Sequence, residues 1–495
     1  MREAGAAVDA DQLDRAHPLL LQIVSLNPRD AEAWHMLAII ALRAGHATEA
    51  IDSAMRALHL DRRNHLYLNT LGVAHAEQQD LGEAVRWFRR ALKERPNHAE
   101  SHYNLGKAQE KLAQFAEAER SYLRARRLEP ARADVANNLA VLYARQGRYD
   151  EALPFLAEAR ARMPHDESVA INSAYASLAT SGPDACLQEL TAFVEGHPGA
   201  AAVHAELGRR LLAEGRFAQG WLEYGWRHGV PPPVLPDPAG KRVLVLPDQG
   251  LGDQLFFLRF ATKLRERAAE VAFDCPEKLA SILEGGCDKG NYDFALPAGD
   301  LPRLLNETST PAPLTIRVDG ARVAAWRERL STLGPGPYLA VTWRGGTKRA
   351  TPEFARRGED ALHKQIDLAA LGAAVRNWGG SVLIVQRLPI AAEVPIFCNA
   401  LGRRAHDLSG ANDDLEDMAA LLSLTDEYVG VSNTNMHLHA GLGRKARVLV
   451  PFPAEFRWMH AAATSPWFPG FSLYRQAPSR DWSDALSRLA LDLTH

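Results

Sequence analysis

From residue 16 to residue 160 the small and large apolar positions share one period. Ala16, Ala50, Ala84, Ala118 and Ala152 stand 34 residues apart, and Ala57, Ala91, Ala125 and Ala159 keep the same interval. Leu37, Leu71, Leu105 and Leu139 repeat in step, with Gly72 and Gly106 beside two of them. Pro96, Pro130, Pro164 and Pro198 also follow this spacing; Pro28 precedes them and Arg62 fills the one gap. The pattern predicts a run of helix pairs. Small residues sit where two helices cross closely, and proline closes each unit because it lacks the N–H that a continuing helix needs. Four full units are expected between Ala31 and Asp166, with half a unit before them. Two decayed units follow. The one from Glu167 carries Cys186 and Phe193 at alanine positions and is doubtful; the one from Ala201 recovers Leu207, Gly208 and Gly215 and ends in Trp221, Tyr224 and Trp226. Those aromatics are expected to seal the last apolar face of the stack.

After residue 228 the pattern changes. Residues 229–240 hold five prolines in twelve positions, which excludes helix and favours a stiff, extended connector. Val243 to Leu246 then reads as a short buried strand, followed by a turn through Gly250 and Gly252 to Asp253 and an amphipathic helix. Strand-like stretches recur at Val271–Asp274, Tyr292–Leu296 and Leu314–Val318, with a helix over Pro276–Leu283. The alternation restarts with strands at Tyr338–Thr342, Ser381–Val385, Tyr428–Val431 and Ala446–Val450. Between them lie helices at Ile366–Trp378, Asp414–Leu424 and Met436–Gly443, and a polar loop at Ser432–Asn435. Strands alternating with helices predict parallel α/β units. The order is therefore a helical solenoid over 1–228, a linker over 229–241, and two Rossmann-like lobes over 242–335 and 336–495, with a cleft between them.

The 34-residue unit resembles the tetratricopeptide repeat, a helix–turn–helix of that length. Stacked units of this kind expose an extended concave surface that receives peptides or proteins. Asn69, Asn104, Asn137 and Asn138 fall on first helices. They are either contacts for a peptide backbone, through paired donor and acceptor groups, or ordinary polar helix surface.

Composition narrows the rest. The chain has 495 residues, 46% of them hydrophobic, and a formal net charge of −3, which argues against a nucleic-acid footprint. The first fifteen residues hold no apolar run, and no stretch is long and apolar enough to span a bilayer, so a cytoplasmic protein is expected. Cys186, Cys275, Cys287 and Cys398 show no paired spacing and read as reduced thiols.

Two motifs carry a second resemblance: Gly250-Leu251-Gly252-Asp253 after the opening strand, and VGVSNTNMHLHAGLGRKARVLVPF from Val429 to Phe452. With the trailing FRWMHAAATSPWFPGFSLYRQ, Phe456 to Gln476, they resemble bacterial proteins that join tetratricopeptide repeats to a GT-B glycosyltransferase domain similar to the heptosyltransferase family. The resemblance implies sugar transfer from a nucleotide sugar, without a metal or other cofactor, to a protein held by the repeats, with flagellin a candidate acceptor. Asp253 is then either the general base, by that resemblance and its place on a cleft-facing loop, or a helix cap. Gly250 and Gly252 shape the donor loop. Asn433, Thr434, Asn435 and His437 open a helix toward the donor phosphate, His437 being preferred over His439. Arg344 and Lys364 are candidates to neutralise phosphate, and Gln386 to reach base or ribose. Asn433 stands where the family commonly has an acid. That departure keeps open a non-catalytic repeat scaffold with a degenerate domain; a separate alternative, with the same chemistry and another acceptor, is a transferase acting on a glycan such as lipopolysaccharide.

Overall fold

The computed structural model describes residues 1–274, 277–282, 290–345 and 365–494. They divide into two compact units, Met1–Ala176 and Ser177–His495. The division falls earlier than the end of the repeats, because the later repeat helices share their core with the α/β region.

The first unit is built from paired helices: Ala31–Arg43 with Ala47–Leu60, His65–Glu77 with Leu81–Glu94, Ala99–Lys111 with Phe115–Leu128, and Ala133–Arg145 with Tyr149–Arg162. The expected half unit is a pair as well, Arg2–Asp9 and Leu13–Leu26. All nine periodic alanines are fully buried. A second periodicity underlies the packing. Ala38, Gly72, Gly106 and Ala140 recur on first helices, and Ala54, Phe88, Tyr122 and Leu156 on second helices. Glycine appears on the first helix where the ring is largest: a Cβ on Gly72 would lie 2.5 Å from Phe88, and one on Gly106 2.7 Å from Tyr122. The turn inside each pair requires a left-handed residue, supplied by Gly45, Gln79, Ala113 and Gly147 in succession.

The second unit begins with the last repeat helices, Pro183–Gly196, Ala201–Ala213 and Phe217–Tyr224. The doubtful unit does form its helices, and Cys186 and Phe193 are buried where alanine would stand. Residues 231–238 have no regular structure. Then come β1 (Arg242–Leu246), β2 (Glu270–Phe273) and β3 (Phe294–Pro297), a parallel sheet in the order β2-β1-β3. The expected strand at 314–318 does not form. Ile316 instead sits buried and donates its N–H to the Gly441 carbonyl at 3.0 Å.

A second sheet holds β4 (Tyr338–Val341), β5 (Ser381–Ile384), β6 (His406–Asp407), β7 (Glu427–Val431), β8 (Arg447–Val450), β9 (Thr464–Ser465) and β10 (Phe468–Arg475), in the order β6-β5-β4-β7-β8-β10-β9. All pairings are parallel except β9 with β10. The first five strands follow the 3-2-1-4-5 order of a doubly wound sheet, whose direction of winding reverses between β4 and β7. Ligands enter such folds outside the carboxyl ends of the strands at that reversal.

Both faces of this sheet are covered, as a parallel sheet requires. Leu339, Val341, Val382, Ile384, Val429 and Val431 pack under the helices Leu368–Ala374, Glu393–Leu401 and Ser483–Asp492. Ala340, Leu383, Tyr428 and Val448 face the other way, into one core shared with Val243, Phe256, Phe260, Trp221 and Tyr224. The helix Gly320–Leu333 packs against the helix Leu415–Ser423, and Arg322 is paired with Asp414, Glu416 and Asp417.

Candidate active site

The helix Leu251–Phe257 starts with Gly250 as its N-cap, and the Asp253 carboxylate reaches back to accept the Gly250 N–H at 3.3 Å. This is the reciprocal arm of a capping box, so the cap role foreseen for Asp253 is present. Its other oxygen, Oδ1, accepts from Arg457 Nη2 at 2.5 Å. Arg457 Nη1 lies 3.1 Å from His437 Nε2. A guanidinium only donates, so that nitrogen accepts, and His437 is neutral with its proton on Nδ1. Arg457 thus joins the helix after β1 to the helix after β7.

The two helices approach closely here because Gly252 has no side chain. A Cβ at that position would lie 3.1 Å from His437 Cδ2 and 3.5 Å from the Thr434 Cα. Phe256 lies edge-on to His437 and is flanked by two cations, with Arg259 Cζ 4.4 Å and Arg457 Cζ 4.8 Å from its centroid. Arg259 is buried and donates to the carbonyls of Phe256, Pro311 and Trp467. Burial, helped by nearby Arg457, pulls its guanidinium down to about 9. Burial opposes the charge on Arg457 too, but Asp253 and the nearby Glu455 carboxylate hold its pKa above the ordinary value.

The loop that leads to Asp253 is braced by the last repeat. Gln249, held in the left-handed region at φ 58°, donates to the Tyr224 hydroxyl at 2.7 Å. Asp248 is buried and takes two bonds from Arg227, at 3.1 and 2.6 Å, while the same guanidinium reaches Asp300 at 2.9 Å. Trp221 packs edge-on against Phe257, Phe260, Phe456 and Trp467. The terminal aromatics therefore seal the repeat stack as expected.

At the reversal point of the second sheet, Asn433 is the N-cap of the helix Thr434–Gly441, which begins two residues earlier than the pattern predicted. Its Oδ1 accepts from the Met436 N–H and the Tyr428 hydroxyl, both at 3.1 Å, and its Nδ2 donates to Thr342 Oγ1 at 2.9 Å. An aspartate here would keep the two acceptor roles and lose the donor. Asn435 is buried, and its amide donates to the Val385 carbonyl and to Asn412. Gln386 is buried too; its Oε1 accepts from the Trp343 and Arg344 N–H groups, clamping the ends of β4 and β5. Arg344 is buried against Glu393, whose carboxyl it helps hold below the usual range despite the opposing effect of burial. Gln386, Asn435 and Arg344 are thus engaged within the fold, in places where the sequence suggested ligand contacts. Lys364 lies outside the described residues.

His439 occupies a different environment from His437. It is fully buried against Tyr428 with Nε2 2.7 Å from the Lys445 carbonyl, and burial lowers its pKa to about 4. Among the described residues no group of three or more His, Cys, Asp or Glu is arranged to hold a metal, and no helix is long and apolar enough to cross a membrane.

In the first unit the asparagines form a ladder between successive first helices. Asn104 donates to Asn69 at 3.4 Å, Asn138 to the Tyr103 hydroxyl at 3.0 Å and Asn172 to Asn137 at 3.0 Å, each pair 35 residues apart. His35 and Thr70 begin the series at 2.8 Å. The four predicted residues are half-buried, and part of their hydrogen-bonding capacity is spent on holding repeats in register.

Sequence reasoning missed Arg457, although FRWMH opens the trailing motif. The signal available was a basic residue between two aromatics, a composition that suits a buried cation.

The helix pairs of the N-terminal region are tetratricopeptide repeats, and residues 1–65, 35–99 and 103–167 match the Tetratricopeptide repeat family. Almost the whole chain is similar to Protein FlbA of Caulobacter vibrioides (strain ATCC 19089 / CIP 103742 / CB 15), at 24% identity over 538 aligned residues, covering 98% of this chain and 88% of that protein. Among solved structures, YrrB, described as a TPR protein with an unusual peptide-binding site, is 20% identical with a TM-score of 0.32 and covers 37% of this chain and 95% of its own. A thermophilic TPR protein of Thermus thermophilus, TTC0263, is 26% identical with a TM-score of 0.32, covering 36% and 96%.

Proposed function

We propose that this chain is a glycosyltransferase with a GT-B arrangement of its two lobes, moving a sugar from a nucleotide-sugar donor to a protein recruited by the repeats. The observation that carries the reading is the Asp253–Arg457–His437 connection between the first turn of the helix that follows β1 and the helix that follows β7. In a single displacement, the acceptor hydroxyl gives its proton to the Asp253 carboxylate as its oxygen bonds to the anomeric carbon. The bond from that carbon to the phosphate oxygen breaks, and the nucleotide leaves with the electron pair. The N-terminus of the Thr434–Gly441 helix and the Arg457 cation favour the charge that develops on the leaving group.

The half-buried asparagines keep amide groups without a partner among the described residues, Asn69 Nδ2 and Asn137 Nδ2 among them, and these suit a peptide backbone. Flagellin, which the resemblance suggests, is the acceptor to try first. Individual nucleotide sugars should raise the thermal midpoint of the protein, and mass spectrometry of an acceptor incubated with the stabilising donor should show the added sugar. Asp253→Ala should abolish transfer while donor binding persists.

A second reading, a scaffold with an inert α/β region, is favoured by the engagement of Arg344, Gln386 and Asn435 inside the fold. No stabilisation by any nucleotide sugar, together with retained partner binding by the repeats, would select it.

A further inference from the structure

We infer that Arg457 ties up the Asp253 carboxylate until an anionic donor arrives and then bonds the donor phosphate, so that donor binding releases the base. This inference rests on the glycosyltransferase reading and deepens it.

Both oxygens of Asp253 are occupied in the ligand-free protein, Oδ1 by Arg457 and Oδ2 by the Gly250 N–H. With Arg457 on Oδ1, the oxygen that would meet an acceptor hydroxyl is screened by the guanidinium until that contact is released. Arg457 has capacity for a further acceptor. Its Nη2 serves Asp253 and its Nη1 serves His437, while its Nε is buried with no hydrogen-bond partner among the described residues. A buried N–H without a partner is a standing cost to the fold, so the site gains when an acceptor enters.

The arrangement of charge points the same way. Arg259 and Arg457 flank one phenyl ring, and Asp253 is bonded to Arg457. Glu455 adds its charge beside Arg457, but its Oε2 accepts from the Trp458 indole. Thr434, at the start of its helix, adjoins Gly252 and is half-exposed, and His437 on the same helix contacts the guanidinium. A diphosphate brings more negative charge than Asp253 offers and forms stronger charge-assisted bonds. Arg457 Nη2 then turns from Asp253 Oδ1 to the phosphate. The freed Oδ1 accepts the hydroxyl proton in the displacement described above. Donor binding must therefore precede productive acceptor binding.

The test uses the full chain and calorimetry with UDP, GDP, dTDP, ADP and CMP, each separately. Asp253→Asn keeps an oxygen for the Gly250 N–H and removes the charge that competes for Arg457. It should bind the preferred nucleotide several-fold more tightly than the wild-type chain. Arg457→Lys keeps a charge and should retain binding within about tenfold while kcat falls by a larger factor than KM rises. Arg457→Gln should lose both. An Asp253→Asn chain that unfolds with wild-type cooperativity and binds the nucleotide no more tightly overturns the gating role and leaves the transferase reading intact. If wild-type protein binds none of the five nucleotides, both fall. Should Asp253→Asn fail to fold, the wild-type chain decides: random-order initial-rate kinetics overturn the inference, and compulsory donor-first kinetics support it.

Discussion

Asp253 Oδ1 and Arg457 Nη2 stand 2.5 Å apart although 204 residues separate them in sequence. The arginine side is buried and the aspartate side partly open to solvent. That asymmetry makes the pair a contact that an incoming anion can contest, unlike the fully enclosed pair at Arg227.

Arg227 is enclosed together with both its partners, Asp248 and Asp300. Arg227→Met would leave Asp248 with the Gly299 N–H and Asp300 with Arg303 at 3.6 Å, and breaking a buried pair from one side costs about 3–5 kcal/mol. Denaturant unfolding of the full chain should show a loss of that order. Asp248 lies on the loop that leads to Asp253, so donor binding should weaken in parallel.

Gly106 faces Tyr122 with no room for a methyl group. Gly106→Ala should destabilise the first unit by about 1–3 kcal/mol through overpacking. Ala113, by contrast, holds φ 58° at a turn where other repeats use glycine. Ala113→Gly should relieve that strain and stabilise the unit by up to about 1 kcal/mol. Paired urea titrations should give shifts of opposite sign.

Asn138 links its helix to the preceding repeat through the Tyr103 hydroxyl. Asn138→Ala should cost about 1 kcal/mol of stability. If the inner face also receives the acceptor, the same variant should weaken acceptor binding. Asn138→Asp, which cannot donate, should reproduce the stability loss.

His439 is held neutral by burial, with a pKa of about 4 against an ordinary value of 6.5, and burial lowers His35 to about 4 as well. The unfolded chain therefore binds these protons before the folded one does. Their contribution to stability is complete above about pH 6.5 and falls as the pH drops toward 4, by on the order of 1 kcal/mol per pH unit for each group. Unfolding measured between pH 4 and 7 should follow this slope, and His439→Gln should flatten it by the share of one histidine.

The repeats were legible because their signal is local. Crossing alanines such as Ala84 and Ala118 must be small wherever two neighbouring helices touch, so the period is written in residue size. The strands β4, β5, β7 and β8 were legible for a similar reason, since a strand buried on both faces is apolar throughout. The stretch at 314–318 has the same apolar look and fails to pair as a strand, because the Ile316 N–H is taken by the Gly441 carbonyl. The helices Gly320–Leu333 and Glu393–Leu401 went unread; Glu393–Leu401 is short and contains a proline.

By itself the sequence determined a 34-residue helical repeat, a change to alternating strands and helices, and a glycine turn leading to Asp253. Each follows from burial demands that act within a few residues. Only the tertiary structure decided that Arg457 meets both Asp253 and His437, that Glu393 claims Arg344, and that asparagines one repeat apart bond to each other. Those pairings depend on where distant backbone segments come to rest, and on which buried donor must find an acceptor once water has left.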